Sequence, residues 1–191
     1  MAEQELIAAA EPEAQTSAST LLASLALIVG SIVLLWYAPG AYFVYKALHV
    51  VAIVVWVGGD VTLTTLGIVF ERRRDGETLA ALGKMGAWIG VHVYTPALFA
   101  ALAFGIALIE KGGLGWGTAW IDLALVGWAI AAAVGVGFVG PELGRIDRAA
   151  IQFGPESEEV RRRVQRLFAI FRFDTALLLL IVIDMTAKPT F

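Results

Sequence analysis

The side chains in this sequence that could carry chemistry are the few polar ones inside long apolar runs. Polar groups are costly to bury in such surroundings, so each one needs a reason. The run 42–70 contains His49, Trp56 and Asp60, the last two being 7 and 11 residues after the first. At about 100° per residue, they lie within roughly 20° of one stripe of a helix. The three side chains are therefore predicted to share an interior helical face.

Counting along the helices places the polar groups at different depths. Asp60 lies about 18 Å from Arg72, near the middle of a bilayer, whereas His49 lies about 34 Å from it, near the opposite surface. His92, in the next apolar run, lies about 12 Å in from Lys84. Since both axial ligands of a haem must reach one iron, a single haem held by the two histidines is not expected.

Asp60 and His92 differ in depth by only about 6 Å on the same counting. They are predicted to form a buried polar site together with Tyr94. Two interpretations remain open for this site: it handles protons or a cation, or it only ties two helices together. Pro96 removes its own N–H and clashes with the carbonyl of His92, so the helix is predicted to kink there and to free one acceptor.

His49, Trp56 and Gly59 form the predicted cofactor-binding surface, with haem b or a small hydrophobic ligand as its occupant. The alternative for His49 is an amphipathic residue at the membrane interface, which its neighbours Tyr42 and Tyr45 favour. The sequence contains no cysteine, so disulfides and thiolate metal sites are excluded. It shows no recognised metal signature and no catalytic constellation, so no metal is assigned.

The elements that position these residues follow from composition: 59% of the chain is apolar and 16% is charged, against about a quarter charged in ordinary soluble domains. This predicts an all-α, polytopic transmembrane bundle. Its five predicted spans are a four-helix core plus one N-terminal helix, at residues 21–38, 42–70, 85–109, 116–139 and 167–185. Residues 1–19 are predicted to be a disordered acidic tail. The rest of the chain is nearly neutral, which makes nucleic acid an implausible partner.

The basic residues predict the orientation in the cell membrane. Ten of the 14 lysines and arginines flank the connection between the second and third spans or lie in the linker 141–166, whereas the other connections and the tail hold three. The positive-inside rule therefore places the linker and the N-terminus in the cytoplasm and the C-terminus outside.

The linker is also predicted to contain a capped helix start. Ser157 is the expected cap, with ion pairs between Glu158 and Arg162 and between Glu159 and Arg163 in a helix that continues into the last span. Four arginines of the linker are interpreted either as topology signals or as ligands of lipid headgroups: Arg161, Arg162, Arg163 and Arg166.

Short motifs resemble a known group of membrane proteins. Lys46-Ala-Leu-His49, Trp56-Val-Gly-Gly59, Pro96-Ala97 with Gly105, Trp120, and Met185-Thr-Ala-Lys188-Pro189 are similar to features of HemJ-type protoporphyrinogen oxidases and CopD-type copper-resistance proteins. The chain looks closest to an uncharacterised "predicted integral membrane" branch. The resemblance implies a four-helix core at spans two to five, with His49 as the ligand of haem or a metal. The chain lacks the fourth-span lysine and the Asn-Glu pair of a HemJ-type enzyme, which argues against protoporphyrinogen oxidation.

Three functions follow as alternatives. The first is a bundle that binds haem b or a hydrophobic ligand at the His49 stripe. The second is a proton-coupled transporter or ion-handling protein built on Asp60 and His92. The third is a scaffold subunit, with membrane lipids and a second copy or a membrane complex as partners. Its glycine faces, at Gly86 and Gly90 and at Gly135, Gly137 and Gly140, would allow close helix packing.

Overall fold

The computed structural model describes residue 19, residues 21–154 and residues 157–189, apart from the side chains of residues 77, 80 and 84. Residues 1–18 of the predicted acidic tail lie outside this part of the chain. The described residues form seven α-helical segments and no strand, which confirms the all-α prediction. The helices are α1 (Leu21–Leu35), α2 (Ala41–Arg73), α3 (Gly76–Ile89), α4 (Thr95–Gly112), α5 (Ala119–Val134), α6 (Gly140–Phe153) and α7 (Glu158–Ala187).

Two π-helical turns join helices end to end. Gly90–Tyr94 joins α3 to α4, and Gly135–Val139 joins α5 to α6. Each turn ends two residues before a proline, Pro96 or Pro141, which is the second residue of the helix that follows. Since a proline cannot donate to the carbonyl four residues earlier, the carbonyls of His92 and of residue 137 lose their α-helical partners. The expected disturbance at Pro96 is therefore a π turn, and Pro141 causes a second one.

Three of the continuous helices are long and apolar enough to cross a membrane: Ala41–Arg73, Ala81–Gly112 and Ala119–Phe153. Helix α1 is apolar but has 15 residues, which at 1.5 Å per residue is about 22 Å, less than the roughly 30 Å hydrocarbon core. Helix α7 is long enough, but its apolar part includes Arg172, Asp174 and Asp184. Length and composition thus support a membrane helix bundle. By these two criteria alone, three of the five predicted spans qualify among the described residues.

Helix α2 lies at the centre of the bundle and packs against both α4 and α7, while α5 packs against α7. Its buried face follows one helical stripe that includes Tyr45, Ala52, Trp56, Asp60 and Thr64. This is the face predicted from His49, Trp56 and Asp60. Trp56 belongs to the largest buried cluster, whose members are Ala52, Trp56, Val57, Ala97, Leu98, Ala101, Ala131 and Leu178.

Helix α1 covers the end of α2 that carries Tyr45. The Tyr45 side chain is fully buried, its ring is stacked on Phe104 of α4, and its hydroxyl donates to the Ile32 carbonyl at 2.8 Å. Tyr45, named in the sequence analysis as a neighbour of His49, is therefore packed inside the bundle and does not face its surroundings. Its phenol is instead used to dock α1 through a hydrogen bond to that helix's backbone.

Glycines do allow close helix approach, but not the ones selected from the sequence. No neighbouring atom lies within 4 Å of a Cβ built at Gly90, Gly135, Gly137 or Gly140, and the neighbour of Gly86 is at 3.6 Å. The close approaches occur elsewhere. A Cβ at Gly127 would lie 2.7 Å from Ile181 of α7, and one at Gly67 would overlap the ring of Phe168.

Helix α7 begins as predicted. Ser157 caps it by accepting from the Val160 backbone N–H, and the helix then continues without a break to residue 187. The expected Glu159–Arg163 ion pair is present at 2.8 Å. Glu158, however, pairs with Arg161, one residue closer along the helix than the predicted Arg162.

Candidate functional site

Asp60 is the acceptor at the end of a buried chain of hydroxyl groups. The Thr175 hydroxyl of α7 donates to Asp60 Oδ2 at 2.5 Å, and the hydroxyls of Thr64 and Thr175 are 2.9 Å apart. Because the one hydroxyl proton of Thr175 is used on Asp60, Thr64 is the donor to Thr175. The order is therefore Thr64 to Thr175 to Asp60. It would reverse if Asp60 carried a proton, since each hydroxyl both donates and accepts.

A second carboxylate, Asp174, lies beside this chain. Asp174 precedes Thr175 on α7, which packs against α2, and Asp174 is as buried as Asp60. Its Oδ1 atom is buried and has no hydrogen-bond partner among the described residues. The α2–α7 interface thus holds two carboxyl groups of which only one is supplied with a donor.

Tyr94 closes the site from the α3–α4 side. A Cβ atom at Gly59 would overlap the ring and hydroxyl of Tyr94, so the tyrosine rests directly on the backbone of α2 next to Asp60. Tyr94, predicted in the same polar site as Asp60, thus lies against the residue that precedes Asp60 on α2. Gly59, predicted to contact a cofactor, contacts Tyr94 instead.

His92 does not join Asp60. Its ring stacks on Trp88, with ring centroids 4.6 Å apart, and its Nδ1 is 2.9 Å from the Trp88 carbonyl on the same helix. No hydrogen bond or ion pair in the described part of the chain links His92 to Asp60. The predicted Asp60–His92 pair is therefore replaced by Asp60–Thr175, with Asp174 as the second ionisable group.

His49 lies half-buried between α2 and α4. Its Nδ1 is 2.7 Å from the Ala101 carbonyl, and its ring would contact a Cβ at Gly105 at 3.2 Å. Because a carbonyl can only accept, Nδ1 carries the proton, and in neutral His49 the lone pair is on Nε2. The predicted surface of His49, Trp56 and Gly59 is thus split. Trp56 is packed in the core, Gly59 is covered by Tyr94, and His49 alone keeps a ring nitrogen that could bind a ligand.

At the basic end of the bundle, Glu142 of α6 is buried and bonded to two arginines. Arg145 and Arg163 reach its two carboxylate oxygens at 3.0 and 2.8 Å. Burial opposes the ionisation of Glu142, but the hydrogen bonds from Arg145 and Arg163 outweigh it and lower the pKa of this carboxyl. Arg163 is on α7, so its bond to Glu142 joins α6 to α7, and it also contacts Glu159 of its own helix.

No group of three or more histidine, aspartate or glutamate side chains in the described residues is arranged to hold a metal ion. Three members of the α2–α7 site were not predicted from the sequence: Thr64, Asp174 and Thr175. Thr64 could have been found because it follows Asp60 by four residues and so shares its stripe. Asp174 could have been found by depth. It lies about 12 Å along the helix from Arg166, close to the depth of Asp60.

Comparison with known proteins agrees with this architecture. A family model described as "Predicted integral membrane protein (DUF2269)" matches residues 43–189, which begin after α1 and include every helix of the core. No curated protein and no solved structure matches the chain. The matched segment covers the predicted spans two to five, and α1 lies outside it. The chain belongs to this DUF2269 family of predicted integral membrane proteins.

Proposed function

We propose that this protein holds a proton or a small cation within the membrane, at the pair of carboxyl groups formed by Asp60 and Asp174. The observation that carries the proposal is that two carboxyl groups are buried on the packed helices α2 and α7, and that one oxygen of Asp174 has no donor among the described residues. Two adjacent negative charges are strongly unfavourable in an apolar interior. A shared proton or a bound cation relieves that repulsion.

The hydroxyl chain supports proton handling in particular. Thr64 and Thr175 can each donate or accept, so the chain can bond to Asp60 in either protonation state without moving a helix. The site therefore suits the second function considered from the sequence, a proton-coupled or ion-handling membrane protein. In this proposal Asp174 is the second ionisable group of the site, the role predicted for His92 from the sequence.

The proposed topology has five spans, with the N-terminus in the cytoplasm and the C-terminus outside the cell membrane. Including α7 as a span is supported by its contacts, because Arg172 pairs with Glu71 of α2 and Asp174 is buried against the bundle. Charged residues in a span are tolerated when they face the interior or are paired. Helix α1 is extended toward the outer surface by Trp36 and Tyr37, which suit an interface.

The test is infrared difference spectroscopy on protein in liposomes, comparing acidic with alkaline buffer. A titrating carboxyl band is expected in the natural protein and in the control Asp122→Asn, whose side chain is exposed on α5. The band should be lost or shifted in Asp60→Asn and in Asp174→Asn. Repeating the alkaline spectrum with sodium or potassium added separates a bound cation from a proton. Unchanged spectra in both variants would refute the proposal.

A second candidate is supported by the orientation of His49. The Ala101 carbonyl fixes Nδ1 as the protonated nitrogen and leaves Nε2 free, which is how proteins commonly present a histidine to haem or a metal. We therefore retain haem b, or a small hydrophobic ligand, as the alternative occupant at this position. Adding haem to purified protein should produce a Soret-type band that His49→Ala removes. No band in the natural protein would exclude the haem version.

A further inference from the structure

A polar cavity opens between α6 and α7, at the basic end of the bundle and away from the Asp60–Asp174 site. It has a volume of about 210 Å³ and is lined by Glu142, Glu159, Arg162, Arg163 and Arg166. Three guanidinium groups thus face two carboxylates. The lining carries a net positive charge.

Both carboxylates in the lining already accept hydrogen bonds from arginines. Both oxygens of Glu142 bond to arginines, one to Arg145 outside the cavity and one to Arg163. Glu159 bonds to Arg162 through one oxygen and to Arg163 through the other. These bonds fix the guanidinium of Arg163 at two of its nitrogens and restrict Arg162. The cavity is therefore built by a network that spans two helices.

Arg166 differs from its neighbours. It forms no ion pair with a described carboxylate, and its guanidinium carbon instead lies 5.5 Å from the centre of the Phe138 ring. A cation over an aromatic face keeps its donors free at the edge of the guanidinium plane. Arg162 is four residues earlier and thus on the same face of α7, so the donors of both residues can reach one occupant.

The contact with Phe138 also sets the depth of the cavity. Phe138 is in the π turn that ends the apolar part of Ala119–Phe153, directly before the polar helix α6. Arg166 is the last residue before the apolar run of α7 that begins at Leu167. The cavity therefore lies where two apolar runs end, at the level of a headgroup layer.

We infer that this cavity binds a phosphate group, held by Arg162 and Arg166 and positioned by the Glu142–Arg163–Glu159 network. Guanidinium groups recognise phosphate oxygens through charge-assisted hydrogen bonds, and a singly charged phosphodiester matches the excess positive charge of the lining. The phosphate belongs either to an anionic phospholipid or to a soluble phosphate. This site is independent of the proton site proposed above.

Native mass spectrometry of the purified full-length chain in detergent tests the inference, with phosphatidylglycerol as the anionic probe and phosphatidylcholine as the neutral one. Phosphatidylglycerol is expected to bind in preference. Losing the hydrogen bonds that one of these guanidinium groups donates to the phosphate should weaken this binding roughly fivefold in Arg166→Gln and in Arg162→Gln. The matched control is Arg161→Gln, on the same helix but outside the cavity, which should bind as the natural protein does. Arg166→Lys keeps the charge and should restore part of the binding.

Competition with inorganic phosphate distinguishes the two sources. If excess phosphate displaces phosphatidylglycerol, the site recognises a free phosphate group; if the lipid stays bound, the site requires the membrane-anchored headgroup. Both outcomes support a phosphate site. The inference is overturned if Arg162→Gln and Arg166→Gln both bind phosphatidylglycerol as the Arg161→Gln control does, or if the natural protein binds neither probe.

Discussion

Replacing Gly59 by alanine should push Tyr94 away from α2 and destabilise the bundle, whereas the same change at the neighbouring Gly58 should not. A Cβ at Gly59 would overlap the ring and hydroxyl of Tyr94. A Cβ at Gly58 meets no atom within 4 Å. The two glycines are adjacent on one helix, so Gly58→Ala is a control with the same chemical change.

The magnitude follows from two opposing effects. Alanine in place of glycine favours a helix by about 0.8–1 kcal/mol at either position. Overpacking a buried contact costs about 1–3 kcal/mol, and here it applies only at Gly59. Gly59→Ala should therefore be less stable than Gly58→Ala by about 1–3 kcal/mol. For a chain of this length that is a difference in Tm of several degrees, at about 2–4 °C per kcal/mol.

The assay is thermal unfolding of both variants in the same detergent, followed by circular dichroism. A double variant adds specificity. Tyr94→Leu shortens the side chain that a Cβ at Gly59 would overlap. Adding Gly59→Ala to the Tyr94→Leu variant should therefore lower the Tm much less than Gly59→Ala lowers it in the natural protein. If Gly59→Ala is at least as stable as Gly58→Ala, then Tyr94 does not rest on Gly59, and the site described here is not closed from the α4 side.

Three further predictions concern a hydrogen bond between helices, a helix cap and a buried carboxylate. Tyr45→Phe removes the hydrogen bond to Ile32 and should cost about 1 kcal/mol in the unfolding assay, with no loss if α1 is not docked on α2. Ser157→Ala removes the cap of α7 and should cost about 1 kcal/mol, whereas Ser157→Asp should be nearly neutral. The lowered pKa of Glu142 means that its stabilising effect is complete above its pKa in the unfolded chain and is lost as the pH falls through its folded pKa. In an acid titration of thermal stability, Glu142→Gln should therefore flatten the acid limb, and an unchanged limb would contradict the role of this carboxylate.

The buried face of α2 could be predicted from the sequence because its helix is uninterrupted and the 3.6-residue period holds throughout. The pairing of Asp60 with His92 could not be judged in the same way. The rise per residue gives the depth of a side chain, but it does not give the direction in which the side chain points around the helix axis. His92 lies at a suitable depth, yet it turns toward Trp88 on its own helix.

The partner of Asp60 was missed for a related reason. Asp174 and Thr175 occur in the last predicted span, far along the chain from Asp60. Only the packing of α7 against α2 brings them to Asp60, and a single sequence contains no direct signal for which helices are neighbours. The cap and the Glu159–Arg163 pair of α7 were predictable because they depend on residues three and four apart.

The two π turns change which face of the helix is occupied by the residues that follow them. A π turn contains roughly one residue more than an α turn, so the residues after it are displaced by about 100° relative to an unbroken helix. The turn Gly90–Tyr94 therefore acts as a one-residue insertion within a helix that stays continuous. Deleting a single residue there would bring α3 and α4 back into one helical phase and rotate one against the other. The same deletion in the middle of α2 would turn half of its buried stripe outward, because α2 has no such turn to absorb the change.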